Sequence, residues 1–400
     1  MKQSGKKIFF MGMMAGVLLI ILVLTVTKYF GIHLLSGGSL ADDIWERAKV
    51  VDAYIDQYYW KDDTPDQVIS EYAAKGMVAA LGDKYSAYYT SEELKKSMDD
   101  IAGDYTGIGA TVKMDQETGK KTITELRKGK PAERAGLLVG DEIVKINGKE
   151  IKGLGLTESL GLITKEEGKE SVLTILREES GQTVTKEITV VCETIVNESV
   201  TSKMLEGKIG YIKVSSFDKE TVKQYTDAIA GLEKEEERGL IIDLRGNGGG
   251  SLEATVGMLD RMLPEGDLIT EKNKAKGDKL YSSTDEEHFD KPVIVLIDEG
   301  SASASEVFAG CMQDRRAATL LGTKSFGKGI VQTIFSLEKS CGGGIKLTTG
   351  EYLLPSGRCI QGEGLTPDVE EKYTGTSKEL GEKDDNQLRK ALEVMEEKLS

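Results

Sequence analysis

The sequence predicts an α/β protein of several domains: an N-terminal transmembrane anchor, a helical segment, a strand-rich module and a mixed α/β core. Three observations carry this. The 400 residues exceed what a single domain of about 100–200 residues needs. From about Ser199 onward, apolar strands alternate with amphipathic helices, the pattern of a layered α/β fold. Near the N-terminus, one stretch is apolar and free of charge. Hydrophobic residues at 39% and charged residues at 30% exclude wholesale disorder, a polytopic membrane protein and a small disulfide scaffold.

Charge and rare residues narrow the chemistry. With 52 Lys and Arg against 67 Asp and Glu, the net charge is −15, so the average surface repels a phosphate backbone and no nucleic acid is expected as partner. Two histidines, His33 and His288, leave little material for a histidine metal site or a histidine-based triad. Cys192, Cys311, Cys341 and Cys359 form no CxxC pair, and Cys192 and Cys311 read as small buried thiols. No metal or cofactor is expected.

Taken in chain order, Ile8–Thr27 matches the roughly 20 apolar residues that cross a bilayer core. Lys2, Lys6 and Lys7 precede it, which keeps the tail cytoplasmic and exports the rest. The stretch exceeds the apolar region of a cleavable signal peptide, so it reads as an uncleaved anchor, although Ser36-Gly37-Gly38 offers a cleavage site. The expected location is the cell membrane, single-pass, with the chain after the anchor extracytoplasmic. Residues 40–100 read as helical. Ile44, Ala48, Val51, Ile55 and Tyr58 form one helical stripe, Thr64-Pro65 a cap followed by proline, and Thr90 with Glu93 a capping box.

Around Thr106 the texture changes to short strands and turns. Gly107-Ile108-Gly109-Ala110 opens the segment. Lys130 to Leu137 (KPAERAGL) reads as a short helix ended by glycine, and Gly140 to Gly148 (GDEIVKING) as a turn, a strand and an Asn-Gly hairpin turn. The pattern resembles a PDZ domain, assigned to residues 101–192. The resemblance implies that a peptide adds a strand to a sheet edge while the backbone N–H groups of a glycine loop hold its terminal carboxylate. That loop maps to Gly107, Ile108 and Gly109.

In the core, Ile209–Val214 reads as a strand, Lys219–Leu232 as a helix, Gly239–Leu244 as a strand, Leu252–Met262 as a helix and Val293–Ile297 as a buried strand. The polar stretch 272–290 reads as a surface insertion. Asp384–Leu399 is an amphipathic helix with Leu388, Ala391, Leu392, Met395 and Leu399 on one face, which must cover the body or a partner and leaves a homodimer open.

Three loops are candidates for chemistry. Asp243 to Ser251 (DLRGNGGGS) follows an apolar strand but lacks the third glycine of a dinucleotide fingerprint, leaving exposed backbone N–H groups suited to an oxyanion. Gly322 to Gly329 (GTKSFGKG) falls one residue short of a phosphate loop, since Gly329 has no hydroxyl for magnesium and the chain continues as a strand. Gly300 to Glu306 (GSASASE) places serines between a strand and a helix start, where a nucleophile gains from helix-end N–H groups; a Ser-rich N-cap is the plainer reading of that loop alone. No G-x-S-x-G motif accompanies His288. A lysine whose pKa is lowered by burial can serve as the base instead, and Lys328 stands between two glycines beside apolar residues. If 328–334 is extended, Lys328 and Gln332 share a face.

These motifs, "DLRxNxGG", "GSASASE", "FGKGxVQ" and the stretch from Gly350 to Val369, are similar in content and order to the carboxyl-terminal processing peptidases, or tail-specific proteases, over roughly residues 40–400. The resemblance implies a serine endopeptidase in a core at 193–372, followed by the terminal helix at 373–400, acting on proteins with free apolar C-termini. It implies Ser303 as nucleophile, Lys328 as base, Gln332 as its orienting group, and Ala304 with Gly249 (chosen over Gly248) as oxyanion donors. Ser301 and Ser305 read as structural caps. The glycine loop departs from the family's commoner "NNPGG". The rival reading is an inactive membrane-tethered PDZ scaffold.

Overall fold

The computed structural model describes residues 40–61, 66–102, 104–115, 117–284, 288–376, 381 and 384–400. The expected anchor at 8–27, the candidate cleavage site Ser36-Gly37-Gly38 and the expected Thr64-Pro65 cap lie outside these residues. Among the described residues no helix is long and apolar enough to cross a membrane.

The chain divides into two compact units, Met1–Tyr72 and Ala73–Ser400. In the first, helix α1 (Leu40–Tyr58) carries the expected stripe, but none of its residues is buried; Ile44 and Ile55 are half-buried and Val51 and Tyr58 exposed. Helix α2 (Asp66–Ala79) begins there and ends in the second unit.

The rest of the expected helical segment is interrupted. Gly82 turns the chain in the left-handed region (φ 67°), and β1 (Ala87–Tyr89) follows before α3 (Ser91–Ala102). A β-prone Tyr-Tyr pair finds an antiparallel partner far along the chain, and that pairing overrides local helix propensity. The Thr90–Glu93 capping box forms at the start of α3, with Thr90 N–H donating to Glu93 Oε2 at 2.8 Å and Glu93 N–H to Thr90 Oγ1 at 3.2 Å.

Strands β2 (Asp104–Gly107), β3 (Ala110–Met114), β4 (Lys121–Leu126), β5 (Glu142–Ile146), β6 (Lys149–Glu150), β7 (Glu170–Glu179), β8 (Gln182–Val191) and β9 (Glu193–Val196) build the strand-rich module, with short helices α4 (Pro131–Arg134) and α5 (Leu156–Leu160). The main sheet runs β3-β4-β5-β7-β8, with β3 at its edge, over a core of Ile123, Leu137, Ile143, Ile146, Leu173 and Ile175. Asn147 (φ 50°) and Gly148 (φ 78°) make the expected two-residue hairpin turn between β5 and β6. Asp141 of the Gly-Asp turn is buried, accepts Leu138 N–H, and pairs with Arg177 at 2.7 Å.

The core is built on a six-stranded sheet. Strands β10 (Val200–Leu205), β11 (Ile209–Val214), β12 (Gly239–Asp243), β15 (Val293–Ile297), β16 (Thr319–Gly322) and β19 (Val369–Glu370) lie side by side, all parallel except β10. Alternation decides its two faces. Ile212, Val214, Leu240, Ile242, Val293 and Val295 face helices α6 (Thr221–Lys234), α7 (Leu252–Met262) and α8 (Ala304–Asp314). Ile209, Tyr211, Ile241, Ile294, Leu296 and Leu321 face α9 (Asn386–Leu399) through Leu388, Ala391 and Met395. The terminal helix therefore covers its own body, and its apolar face gives no argument for a dimer.

A second sheet is antiparallel. It joins β1, β18 (Gly344–Leu353), β13 (Gly266–Asn273) and β14 (Lys279–Ser283), with β17 (Ile330–Ser336) also on β18. The stretch expected to be a surface insertion thus contains half of a hairpin, because Leu280 and Tyr281 pair with Thr270 and Ile269.

Candidate active site

The site forms where β12 and β15 end side by side, the carboxyl edge at which α/β sheets place their ligands. The loop after β12 and the loop after β15 are stitched together. Gly246 N–H and Gly300 N–H both donate to Asp298 Oδ1, at 2.8 and 2.9 Å. Ser301 Oγ donates to Leu244 O at 2.8 Å and Ser305 Oγ to Asn247 O at 2.9 Å. Both serines are fully buried and tie loops together instead of capping the helix, whose N-cap is Ser303.

Ser303 caps α8 in a conformation that L-residues rarely adopt, φ 57° and ψ −114°. Such strain persists only where neighbours enforce it. Here the Ser303 N–H is fixed to Glu306 Oε2 at 2.9 Å, and Gly249 presses on the turn from the other side. A Cβ on Gly249 would stand 2.9 Å from both Ser303 Cβ and Ala304 N, and its φ of +101° also demands glycine. Ala304 opens α8, so its N–H is among the helix-end donors that lack an intrahelical partner. The Gly249 N–H donates to Asn247 Oδ1 at 2.9 Å, whereas that of Gly248 has no hydrogen-bond partner among the described residues.

Glu306 is the residue that sequence reasoning missed. Its carboxylate is fully buried and gathers four neutral donors from two segments. Oε2 accepts Ser303 N–H and, at 2.8 Å, Lys328 N–H; Oε1 accepts Gly327 N–H at 2.7 Å and Ser325 Oγ–H at 2.5 Å. One side chain therefore sets the distance between the backbone of the serine turn and that of the lysine loop. The only sequence signal was its place three residues after Ser303, which alone reads as a capping box.

Lys328 lies before β17. The strand starts at Ile330 and its pairing with β18 is bulged between Val331 and Gln332. The expectation of an extended 328–334 is met only from Ile330 onward, so Lys328 stands outside the strand and the period of two does not carry back to it. Gln332 Nε2 reaches Ile330 O at 3.4 Å, and no hydrogen bond joins Lys328 Nζ to Ser303 Oγ or Gln332. The ammonium instead lies 5.3 Å from the centre of the Tyr85 ring. Burial pushes the Lys328 pKa below the ordinary lysine value; the Lys346 charge acts in the same direction and the Glu306 carboxylate opposes both. The segment after Lys328 is a strand, so the phosphate-loop reading lacks its helix. His288 is exposed on the approach to β15.

In the strand-rich module, the carbonyls of Ile108 and Gly109 accept Ala132 N–H and Arg127 N–H at 2.8 and 2.9 Å. Their own N–H groups have no partner among the described residues. Gly109 is left-handed (φ +75°), and a Cβ there would meet Lys130 Cβ at 2.6 Å. Gly107 closes β2 opposite Glu193 of β9.

Two segments of the chain match known families. Residues 208–371 match the family model for peptidase family S41, and residues 106–189 match that of the PDZ domain. The carboxy-terminal processing protease CtpA of Bacillus subtilis (strain 168) is 34% identical over 365 residues, covering 91% of this chain and 76% of that protein. The "Probable CtpA-like serine protease" of Staphylococcus aureus (strain COL) is also 34% identical, over 90% of this chain and 72% of its own length. The solved photosystem II D1 C-terminal processing protease shares 27% identity, with a TM-score of 0.48 over 81% of this chain and 86% of that one. The chain thus belongs to the S41 carboxy-terminal processing proteases, a serine-type endopeptidase with a PDZ domain.

Proposed function

We propose that this endopeptidase cuts peptide bonds with a Ser303–Lys328 dyad. Ser303 Oγ attacks the scissile carbonyl, and Lys328, neutral for the purpose, takes its proton and later returns it to the leaving amine. Gln332 orients the amine once its side chain turns from Ile330 O. The oxyanion is met by Ala304 N–H and the Gly248–Gly249 turn, where Gly248 offers a free donor and Gly249 must first release Asn247. The observation that carries this reading is the shared clamp of Glu306 on both backbones, together with the lowered lysine pKa.

The module at 101–192 presents substrates to the core at 193–372. An extended, apolar C-terminus would pair with the edge of β3, and its carboxylate would meet the free N–H groups of Ile108 and Gly109, with Gly107 leading into the loop. The Ile8–Thr27 stretch anchors the protein in the membrane, with the catalytic part extracytoplasmic. The chemistry needs no cofactor. Binding of a tail by the PDZ module brings Lys328 into register with Ser303, so that cleavage requires the ligand.

The test is cleavage of an unstructured reporter protein with an apolar tail, free or amidated, by wild type and Ser303→Ala. Cleavage by wild type alone, weakened by amidation, is expected. Binding of the free tail with no cleavage by wild type would return the protein to the scaffold reading.

A further inference from the structure

Tyr85 lies outside both stretches that match a family, yet its ring covers the group on which the proposed reaction depends. The loop that carries it is fastened at both ends. Asp83 Oδ1 accepts Tyr85 N–H at 3.0 Å and Asp83 Oδ2 accepts Ser86 Oγ–H at 2.6 Å. Ser86 Oγ in turn accepts Thr348 N–H of β18 at 3.0 Å, and β1 continues the pairing with Ala87 opposite Lys346. A half-buried ring is thus held on the sheet that bears β17, over the half-buried Lys328.

We propose that Tyr85 is a positioning residue for the peptidase reaction, its ring confining the Lys328 amine and keeping water from it. The proposal rests on the Ser–Lys reading above. An unrestrained lysine side chain samples many rotamers in water and would be a charged group at neutral pH. The ring acts on it in two opposing ways. Its π face attracts the ammonium, which favours the charged form. Its bulk removes water, which favours the neutral amine. Burial is the largest influence on the Lys328 pKa and favours the neutral amine, and the ring is one of the groups that bury it. The other charged groups facing the amine are Lys346 from β18, which favours the neutral form, and Glu306 from α8, which opposes it. Lys84, on the same loop, stacks its own ammonium on Tyr85 and Phe326 at 4.8 and 5.6 Å.

The experiment measures kcat and KM against pH for the full chain in detergent, using the unstructured reporter with a free apolar tail. Wild type, Tyr85→Ala, Tyr85→Phe and Lys328→Ala are compared. Tyr85→Ala is expected to move the acid limb of kcat/KM upward by about one pH unit, which is roughly tenfold in rate below the limb. The loss should fall on kcat with KM little changed. Tyr85→Phe keeps the ring and should restore most of the rate. An acid limb for Tyr85→Ala at the wild-type position, or a Tyr85→Phe as impaired as Tyr85→Ala, overturns the role of the ring. Full activity of Lys328→Ala overturns the dyad itself, whatever Tyr85 does. Should Tyr85→Ala fail to fold, Ser86→Ala loosens the same loop with the ring present; it should move the limb the same way by less, and an unmoved limb there counts against the proposal.

Discussion

Glu306 and Arg245 are both buried in the loops of the candidate site, and their surroundings differ in kind. Glu306 meets neutral donors only, three backbone N–H groups and one hydroxyl, all within the 303–328 stretch. Arg245 sits between two carboxylates. It donates to Asp243 Oδ1 and Oδ2 at 2.9 and 2.6 Å and to Asp385 Oδ1 and Oδ2 at 3.0 and 2.7 Å, with Gln387 Oε1 at 2.7 Å. Asp385 also caps α9, accepting Leu388 N–H at 3.0 Å. The first cluster joins two loops of the site. The second joins the glycine loop to the chain terminus across 140 residues of sequence.

Their electrostatics diverge accordingly. Burial penalises the Arg245 charge, yet the hydrogen bonds and charges of Asp243 and Asp385 hold its pKa above the ordinary value. Tyr211, which donates to Asp243 Oδ2 at 2.7 Å, is pushed up by burial and by the adjacent carboxylate. Burial raises the Asp385 pKa, but the Arg245 hydrogen bonds and charge, joined by the Leu388 and Gly381 N–H groups, together depress it. The lesson is that geometry of the site is set by a carboxylate holding backbones, and its platform by an ion network holding elements.

Breaking the network should have the largest effect. Arg245→Ala leaves two carboxylates uncompensated and is expected to cost about 3–5 kcal/mol, read as a shift in the denaturant midpoint. A loss below about 1 kcal/mol would mean that water replaces the guanidinium. The same network predicts a pH dependence. Since the folded pKa of Asp385 is depressed, its contribution is present above the ordinary carboxylate value near ~3.9 and is lost as pH falls through the depressed one. Asp385→Asn should flatten the acid side of a stability–pH curve. Met395→Ala, deleting a fully buried side chain between α9 and the sheet, should cost about 2–5 kcal/mol and leave kcat/KM of the surviving fold unchanged.

Glu306→Gln sharpens the contrast. The amide can still accept from Ser303 and Lys328 but no longer from Gly327 N–H or the Ser325 hydroxyl, so stability should fall by only about 1–3 kcal/mol while kcat drops by more than tenfold. Equal kcat in the variant would deny the clamp any part in turnover. The smallest effect has the opposite sign. Ser303→Gly relieves the φ of 57° and should stabilise the protein by about 1 kcal/mol as it abolishes cleavage.

The same contrast explains what could be read from the chain. Strands β11 and β15 and helix α7 stand at the residues that periodicity gives, because each buries a local pattern on a fixed face. The Asn147-Gly148 turn and the Thr90–Glu93 box follow from local backbone needs. What stayed hidden depends on partners distant in sequence. Strand β1 forms only because β18 accepts it, Arg245 has meaning only with Asp385, and Tyr85 matters through Lys328. The Lys328–Gln332 relation has a nearer limit, since the strand on which it rested begins only at Ile330.

The central claim is that Lys328 activates Ser303, and covalent labelling tests it most directly. The full chain is treated with an excess of a serine-reactive fluorophosphonate at several pH values, and the adduct is located by peptide mass spectrometry. The account predicts a single adduct on Ser303 in wild type, with a labelling rate that rises with pH through a depressed lysine pKa. It also predicts labelling slower by about a hundredfold or more in Lys328→Ala. Labelling of Lys328→Ala at the wild-type rate, or an adduct on another serine, would contradict it.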